Sequence, residues 1–407
     1  MIVRAITPAA FVFTNALVPL FPSFIMLTAV RAPGISLLSP RAAAVLLVAV
    51  AALGLVYAVR LAFPPRESAP TLLPLLAWLG AGVLAALLGF DPRSGIVFIG
   101  VFALAIVWHL GTLRYYRERG VAPAIVWSLL ITCALASIAA IVMTLFRWPT
   151  MQYVIGHGRA IGTFVLPGEL AGYLVVLIPI AGGVLLATRR AGLRAAALCA
   201  LVAGLAAMLL TFSRTGWMGL AAAGAFFAIV RSRAWQAGVA IAAGIVLAAL
   251  AAEILVFNVA HNPSENFTRI SIWQAALQII DRFPLTGVGP FEFSHLYAVV
   301  RTPDGDATAF HAHSVYLTFL AEIGVVGLVA AAWTWWRFAA ELRSRIARAR
   351  PEDALLATSI AAGLVGTLVQ GLIDTVSVVI FGLWMPTMAL ALAVARDGLM
   401  EREARAS

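Results

Sequence analysis

The sequence predicts an all-α integral membrane protein with about twelve transmembrane helices. Of its 407 residues, 62% are hydrophobic and only 11% are charged, whereas soluble domains carry about 25% charged residues. The mean hydropathy is +0.99. A soluble core of this size could not bury so much apolar surface and still cover itself, so the lipid bilayer must be the solvent for most of the chain.

Transmembrane helices are predicted wherever about 20 mostly apolar residues follow one another. The predicted helices cover residues 9–30, 42–62, 71–90, 95–112, 122–146, 164–188, 192–212, 215–231, 235–257, 314–338, 353–374 and 376–396. Residues 1–407 are therefore predicted to form a single polytopic membrane domain.

Arginine gives the predicted orientation, because the chain contains no lysine. With the N-terminus in the cytoplasm, nineteen of the 28 arginines fall in cytoplasmic segments and nine on the other side. This is the positive-inside bias, and it predicts a multi-pass membrane protein with both termini in the cytoplasm. The same bias explains the net charge of +10, so we expect no nucleic-acid partner.

One outward segment, residues 258–313, is much longer than the other loops and lies between the ninth and tenth predicted helices. An amphipathic helix is predicted within it over residues 269–282, with Ile272, Ala276 and Ile279 or Ile280 along one side. Long ordered loops are usually functional.

Two histidines, His311 and His313, lie where this loop re-enters the membrane. Imidazole titrates near neutral pH, so a histidine here can act as a general base. The alternative is that each caps the next helix or bonds a loop carbonyl. A zinc site is a further alternative, but no cysteine or third histidine lies nearby in the sequence.

Three outward arginines, Arg159, Arg214 and Arg269, form a second group of candidates. A guanidinium group matches two phosphate oxygens and stays charged at any working pH. The alternative for each is snorkelling to lipid headgroups. Gathered beside the histidines, the three would instead fit a pyrophosphate.

Glu169, Gln370 and Asp374 lie near helix ends on the same side, and polar groups in such positions are functional candidates. Residues 304–306, Asp-Gly-Asp, have the pattern of a divalent-metal site, but Asp-Gly is also a common turn. The first outward loop, residues 31–41, contains no acidic residue. We therefore expect neither a metal nor another cofactor.

Several stretches resemble the Wzy_C region of the O-antigen ligase superfamily, over roughly residues 155–390. The matching stretches are 159–164 with Pro167, Leu170, Ala171 and Tyr173, the Ser-Arg-Thr-Gly turn at 213–216, Arg269, Trp273, the Phe-Pro-Leu-Thr-Gly-Val-Gly-Pro segment at 283–290, His-Ser-Val-Tyr-Leu at 313–317 and Ala-Glu-Ile-Gly-Val-Val-Gly-Leu at 321–328. Two positions depart from the family pattern, which often has Asn where this chain has Ser314 and Pro-Asn where it has Pro167-Gly168.

The resemblance implies a glycosyltransferase that takes its glycan from undecaprenyl pyrophosphate at the periplasmic face. The superfamily includes O-antigen ligases, O-antigen polymerases and O-linked protein oligosaccharyltransferases. A single long loop without a large extra soluble domain favours the ligase, whose acceptor is the lipid A core. The reaction is then expected to be inverting and metal-independent, with His313 as base. A lipid-linked oligosaccharide flippase is a weaker alternative, since the polar residues gather on one face and no internal repeat is visible.

Overall fold

The computed structural model describes residues 9–12, 14, 40–62, 70–119, 123–148, 150–162, 164, 166–251, 264–302, 305, 306, 309, 311–374 and 384–397. Every regular element within these residues is a helix. In chain order they are α1 Pro40–Ala62, α2 Leu72–Leu88, α3 Pro92–Arg119, α4 Pro123–Phe146, α5 Thr150–Ile155, α6 Pro167–Ala187, α7 Ala191–Thr211, α8 Arg214–Ser232, α9 Trp235–Ala251, α10 Ser264–Arg282, α11 Phe293–Val300, α12 Val315–Ile346, α13 Pro351–Gln370 and α14 Trp384–Asp397.

Six of the described helices are long and apolar enough to cross a membrane, judged by length and composition: α3, α4, α6, α7, α12 and α13. Shorter apolar stretches lie in α1, α2, α9 and α14. A helix overlaps each predicted span from the second to the twelfth, while most of the first, residues 9–30, lies outside the described residues. A helical membrane protein is therefore confirmed, and the count of twelve spans stays a prediction.

Helices α6, α8 and α13 pack together at the centre of the bundle, with α7 and α9 against their flanks. Small residues permit close packing between membrane helices, where burial from water supplies no driving force. A β-carbon on Gly219 of α8 would lie 2.9 Å from the carbonyl oxygen of Gly366 in α13. The backbones of α8 and α13 are therefore in direct contact at this point.

The long loop has a hydrophobic core of its own. The predicted amphipathic helix is confirmed within α10, and Ile272, Ala276 and Ile279 are fully buried. They pack in one cluster with residues of α11 and with Ala312 and Ala321, which flank the start of α12. This core therefore holds α10 and α11 over the start of α12, next to the histidine pair.

Helix α12 is interrupted at Gly324, which adopts a left-handed φ of 65°. The turn-rich segment 284–289 lies in the break and bonds to the helix backbone on both sides of it. The N–H groups of Val288 and Gly289 donate to the carbonyls of Ala321 and Glu322, and those of Val325 and Val326 donate to Pro284 and Leu285, at 2.9–3.2 Å. These four hydrogen bonds replace helical ones at the break, and they tie the loop to the helix that follows His313.

Candidate active site

A polar cavity of about 160 Å³ lies at one end of the bundle, where α6, α8 and α12 begin and α13 ends. Whole-ligand pockets usually measure about 300–1,000 Å³, so this volume suits a compact charged group. Seven of the predicted site residues line the cavity: Arg159, Glu169, Arg214, Arg269, His311, His313 and Asp374. The fold therefore brings together, from distant positions in the chain, seven residues that were predicted from the sequence.

Arg214 is the first residue of α8 and is exposed at the cavity. The preceding Ser213 caps the helix, because its hydroxyl accepts a hydrogen bond from the N–H of Gly216 at 3.2 Å. A helix N-terminus carries partial positive charge and attracts anions. Arg269 reaches the same cavity from α10 and is half-buried. Two guanidinium groups and the start of a helix thus face one small volume.

Arg159 lines the cavity but also holds neighbouring backbone. Its Nε donates to the carbonyl of Thr211 at 2.8 Å, and one terminal nitrogen donates to that of Phe212 at 3.2 Å. Those carbonyls end α7, where a basic side chain commonly satisfies unpaired oxygens. Arg159 therefore fixes the turn that leads into Arg214, in addition to any contact with a bound anion.

The two histidines have different surroundings. His311 is buried, and its Nδ1 accepts a hydrogen bond from the backbone N–H of His313 at 3.1 Å. Burial, followed by the nearby charge of His313, lowers the pKa of His311 to about 4. His313 is half-buried and adopts a left-handed φ of 46°, a conformation that costs a non-glycine residue about 1–2 kcal/mol. Local bonds must hold it there.

His313 faces the carboxylate of Asp374, with 3.9 Å between its Nδ1 and Oδ1 of the aspartate. That Nδ1 has no hydrogen-bond partner among the described residues. The two segments are pinned together by the N–H of Val315, which donates to the carbonyl of Gly371 at 2.8 Å. Burial opposes ionisation of Asp374, but the adjacent His313 and the charge of Arg269 outweigh it and hold the carboxyl pKa below its ordinary value. The aspartate is therefore a fixed anion beside the imidazole.

Several residues that support this carboxylate were not predicted. The hydroxyl of Thr215 lies 3.4 Å from Oδ2 of Asp374. A β-carbon on Gly168 would lie 2.6 Å from the same oxygen, so the small residue lets the carboxylate approach the start of α6. By contrast, Gln370 was predicted as a site residue but does not line the cavity. Its Nε2 donates to the carbonyl of Gly168 at 3.3 Å. The turn sequence Ser-Arg-Thr-Gly was the available signal for Thr215.

The two departures from the family pattern have local explanations. Ser314 is the N-cap of α12, and its hydroxyl accepts the N–H of Leu317 at 3.4 Å. Serine and asparagine are comparably good N-caps, so Ser314 can fill the place of the usual Asn. The glycine at 168, in place of Asn, leaves the space that the Asp374 carboxylate approaches.

Of the Asp-Gly-Asp segment, the described residues Gly305 and Asp306 are not among those that line the cavity. The N–H of Gly305 donates to the carbonyl of Thr302, and the Arg301 side chain donates to the carbonyl of Gly305 at 3.1 Å. These hydrogen bonds stabilise a turn. Asp304 lies outside the described residues. In the described part of the chain, no group of three or more His, Cys, Asp or Glu side chains is arranged to hold a metal ion.

Together, these observations describe a helical membrane protein with an arginine-lined cavity beside a histidine–carboxylate pair. Residues 199–332, about a third of the chain, match the Wzy_C family model, described as O-antigen ligase. This match confirms the resemblance to the O-antigen ligase superfamily, whose members are membrane glycosyltransferase-like enzymes. The matched segment contains Arg214, Arg269, His311 and His313. No curated protein matches the chain.

Proposed function

We propose that the protein is an O-antigen ligase of the bacterial inner membrane. It transfers a glycan from undecaprenyl pyrophosphate to a sugar hydroxyl of the lipid A core at the periplasmic face. The observation that carries the proposal is the single cavity in which Arg214 and Arg269 face His313 and its partner Asp374. The match to the O-antigen ligase family model supports the same assignment.

The arginines supply what the donor requires. Pyrophosphate is a good leaving group once its growing negative charge is compensated, and fixed charged donors do this best in a small site away from bulk water. Arg214 and Arg269 approach from two different helices and can bind different phosphate oxygens. Arg159 supports Arg214 through the end of α7. No general acid is then needed for the leaving oxygen.

His313 supplies what the acceptor requires. A sugar hydroxyl is a weak nucleophile until a base removes its proton. The Nδ1 of His313 points toward the Asp374 carboxylate, which leaves Nε2 to take that proton. The present gap of 3.9 Å must shorten by about 1 Å to become a hydrogen bond, and such bonds often tighten only in the reacting complex. Asp374 then stabilises the imidazolium that forms.

The reaction is a single displacement at the anomeric carbon. The acceptor oxygen forms a bond to this carbon while the bond to the phosphate oxygen breaks, and its electron pair leaves with undecaprenyl pyrophosphate. The hydroxyl proton passes to His313. The proposal assigns His313 as the base and no carboxylate as nucleophile, and a single displacement of this kind inverts the configuration.

The test is transfer by purified protein, with lipid A core, a pilin-like peptide and lipid-linked repeat units as competing acceptors. Preference for lipid A core supports the ligase, while preference for repeat units or peptide identifies the polymerase or the protein oligosaccharyltransferase. His313→Ala should lower the rate by about 10²-fold or more, since general-base catalysis contributes about 10²–10⁴-fold. His295→Ala is the matched control, because His295 is 71% exposed and lies outside the cavity lining. Retention of more than about a tenth of the rate by His313→Ala would exclude it as the base.

The flippase alternative predicts a different result from the same preparation. A flippase moves the lipid-linked glycan across the bilayer without breaking the glycosidic bond. The polar cavity lies at one end of the bundle and not at its middle, which favours transfer over transit. Translocation in vesicles without any transfer product would support the flippase.

A further inference from the structure

His311 lies at the cavity, yet its contacts differ from those expected of a base. The backbone N–H of His313 can only donate, so the Nδ1 of His311 that receives it must carry a lone pair. In the neutral ring the proton then resides on Nε2. This tautomer is inferred from the hydrogen-bond donor. The lone pair of His311 that could accept a substrate proton is already occupied.

The bond from His313 to His311 is one of three that hold the entrance to α12. The N–H of Ala312 donates to the hydroxyl of Thr318 at 3.2 Å, and that of Val315 donates to the carbonyl of Gly371 at 2.8 Å. Between them, the N–H of His313 is held by His311. The residue that receives this bond is therefore placed to control the left-handed backbone at His313, where φ is 46°.

The direction of the His313 side chain depends on this backbone conformation. Residues other than glycine, and occasionally Asn or Asp, rarely adopt left-handed φ values. Loss of the hydrogen bond from the N–H of His313 to Nδ1 of His311, here called the clamp, therefore favours a return to negative φ. Such a change would move the β-carbon and turn the imidazole away from Asp374. The two imidazole rings also pack edge to face, with centroids 4.5 Å apart. The His311 ring thus contacts His313 through both its backbone and its ring.

We propose that His311 is a positioning residue for the transfer reaction: it stays neutral and uses Nδ1 to hold the His313 backbone, which aims the His313 imidazole into the cavity. This inference rests on the proposed function. A protonated Nδ1 would face the N–H of His313 and break the clamp, and the low pKa of His311 keeps that nitrogen free above about pH 4. The titratable or charged groups that act on His311 are His313, Asp374 and Arg269.

A matched pair of substitutions separates the clamp from the ring. In His311→Asn, the side-chain oxygen stands on the γ carbon, where Nδ1 stood, and can still accept the N–H of His313. In His311→Gln, the amide lies one carbon further out and cannot. We expect kcat within about threefold of wild type for His311→Asn. For His311→Gln we expect at least a tenfold fall in kcat with donor KM unchanged, because small misplacements of a reacting group cost up to about 10²-fold.

The controls make each outcome decisive. Both variants must insert and melt like wild type, and His295→Gln should transfer at the wild-type rate. Equal losses of about 10²-fold in both His311 variants would identify a reacting imidazole and overturn the proposal. Full activity in His311→Gln would overturn it as well. The pH profile of kcat in His311→Asn should match that of wild type, and a displaced profile would contradict a neutral role.

A spectroscopic measurement tests the clamp independently of transfer. The chain has six histidines, so ¹⁵N-histidine labelling gives few imidazole signals, and the signal missing in His311→Asn identifies His311. We expect a bare Nδ1, a protonated Nε2 and no titration between pH 5 and 8. A proton on Nδ1, or titration near pH 6.5, overturns the proposal. If wild-type protein transfers glycan to no acceptor, the proposed function fails, while this measurement still decides whether Nδ1 of His311 holds the His313 backbone.

Discussion

Replacing Gly324 with Ala should detach the long loop from α12. Gly324 has a φ of 65°, and a β-carbon there would collide with the carbonyl oxygen of Leu285. The backbone of segment 284–289 must then move away. That segment makes four backbone hydrogen bonds across the break in α12, so the collision acts directly on the contact between loop and helix.

The size of the effect follows from these contacts. Holding alanine at a left-handed φ costs about 1–2 kcal/mol, and each lost backbone hydrogen bond costs about 1 kcal/mol. With four bonds at risk, the docked state should lose about 5 kcal/mol, which is at the upper end for a point mutation. At 1.4 kcal/mol per factor of ten, the undocked population rises by about 4 × 10³-fold.

Hydrogen–deuterium exchange measures this population directly, because exchange of a protected amide follows its opening free energy. Peptides covering residues 284–289 and 321–326 should exchange about 4 × 10³-fold faster in Gly324→Ala than in wild type. Gly100→Ala in α3 is the matched control, since a β-carbon there meets no neighbouring atom. Exchange in Gly324→Ala within tenfold of that control would refute a docking energy loss of about 5 kcal/mol.

Three further predictions concern the cavity. Arg214→Lys and Arg269→Lys should each lower donor affinity or transfer rate about 10- to 100-fold, because a lost charge-assisted hydrogen bond costs about 1.5–3 kcal/mol. Near-wild-type values in both variants would mean that the two arginines contact lipid headgroups, where lysine works as well. Transfer should continue in EDTA, whereas a collapse that magnesium or manganese reverses would identify Asp304 and Asp306 as ligands. The folded pKa of His311, about 4, lies below the ordinary 6.5, so the unfolded chain binds more protons between these values and stability falls as pH drops from 6.5 toward 4. Wild type should lose about 2 kcal/mol more than His311→Asn between pH 7 and 5 in denaturation curves, and equal losses would show that His311 titrates normally.

The helices could be predicted from the sequence because lipid-facing segments must be apolar over a fixed length. The amphipathic stripe of Ile272, Ala276 and Ile279 was equally visible, since it repeats at helical spacing. The break in α12 was not predicted. Glycine also occurs inside unbroken helices of this chain, as at Gly219 and Gly366, so Gly324 alone does not mark a break. The partner segment 284–289, which is distant in sequence, makes the broken helix stable there.

The members of the site could be predicted, but their mutual arrangement could not. Arginine and histidine at membrane boundaries stand out because they are costly there. Asp374 was a candidate, but its pairing with His313 depends on α13 ending beside the start of α12. The clamp from His311 depends on a single left-handed residue, and no spacing in the sequence encodes it.

The direct contact of Gly219 with Gly366 has a consequence for the width of the cavity. Gly219 lies five residues below Arg214 on α8, or about 7 Å along the helix, and Gly366 lies eight residues before Asp374. Because these backbones touch, the gap between Arg214 and Asp374 is set at this contact inside the bundle and not at the rim of the cavity. A larger residue at either glycine would act as a wedge that spreads the cavity without altering any group in it. A chain with larger residues at these two positions is therefore expected to hold a wider cavity with the same lining.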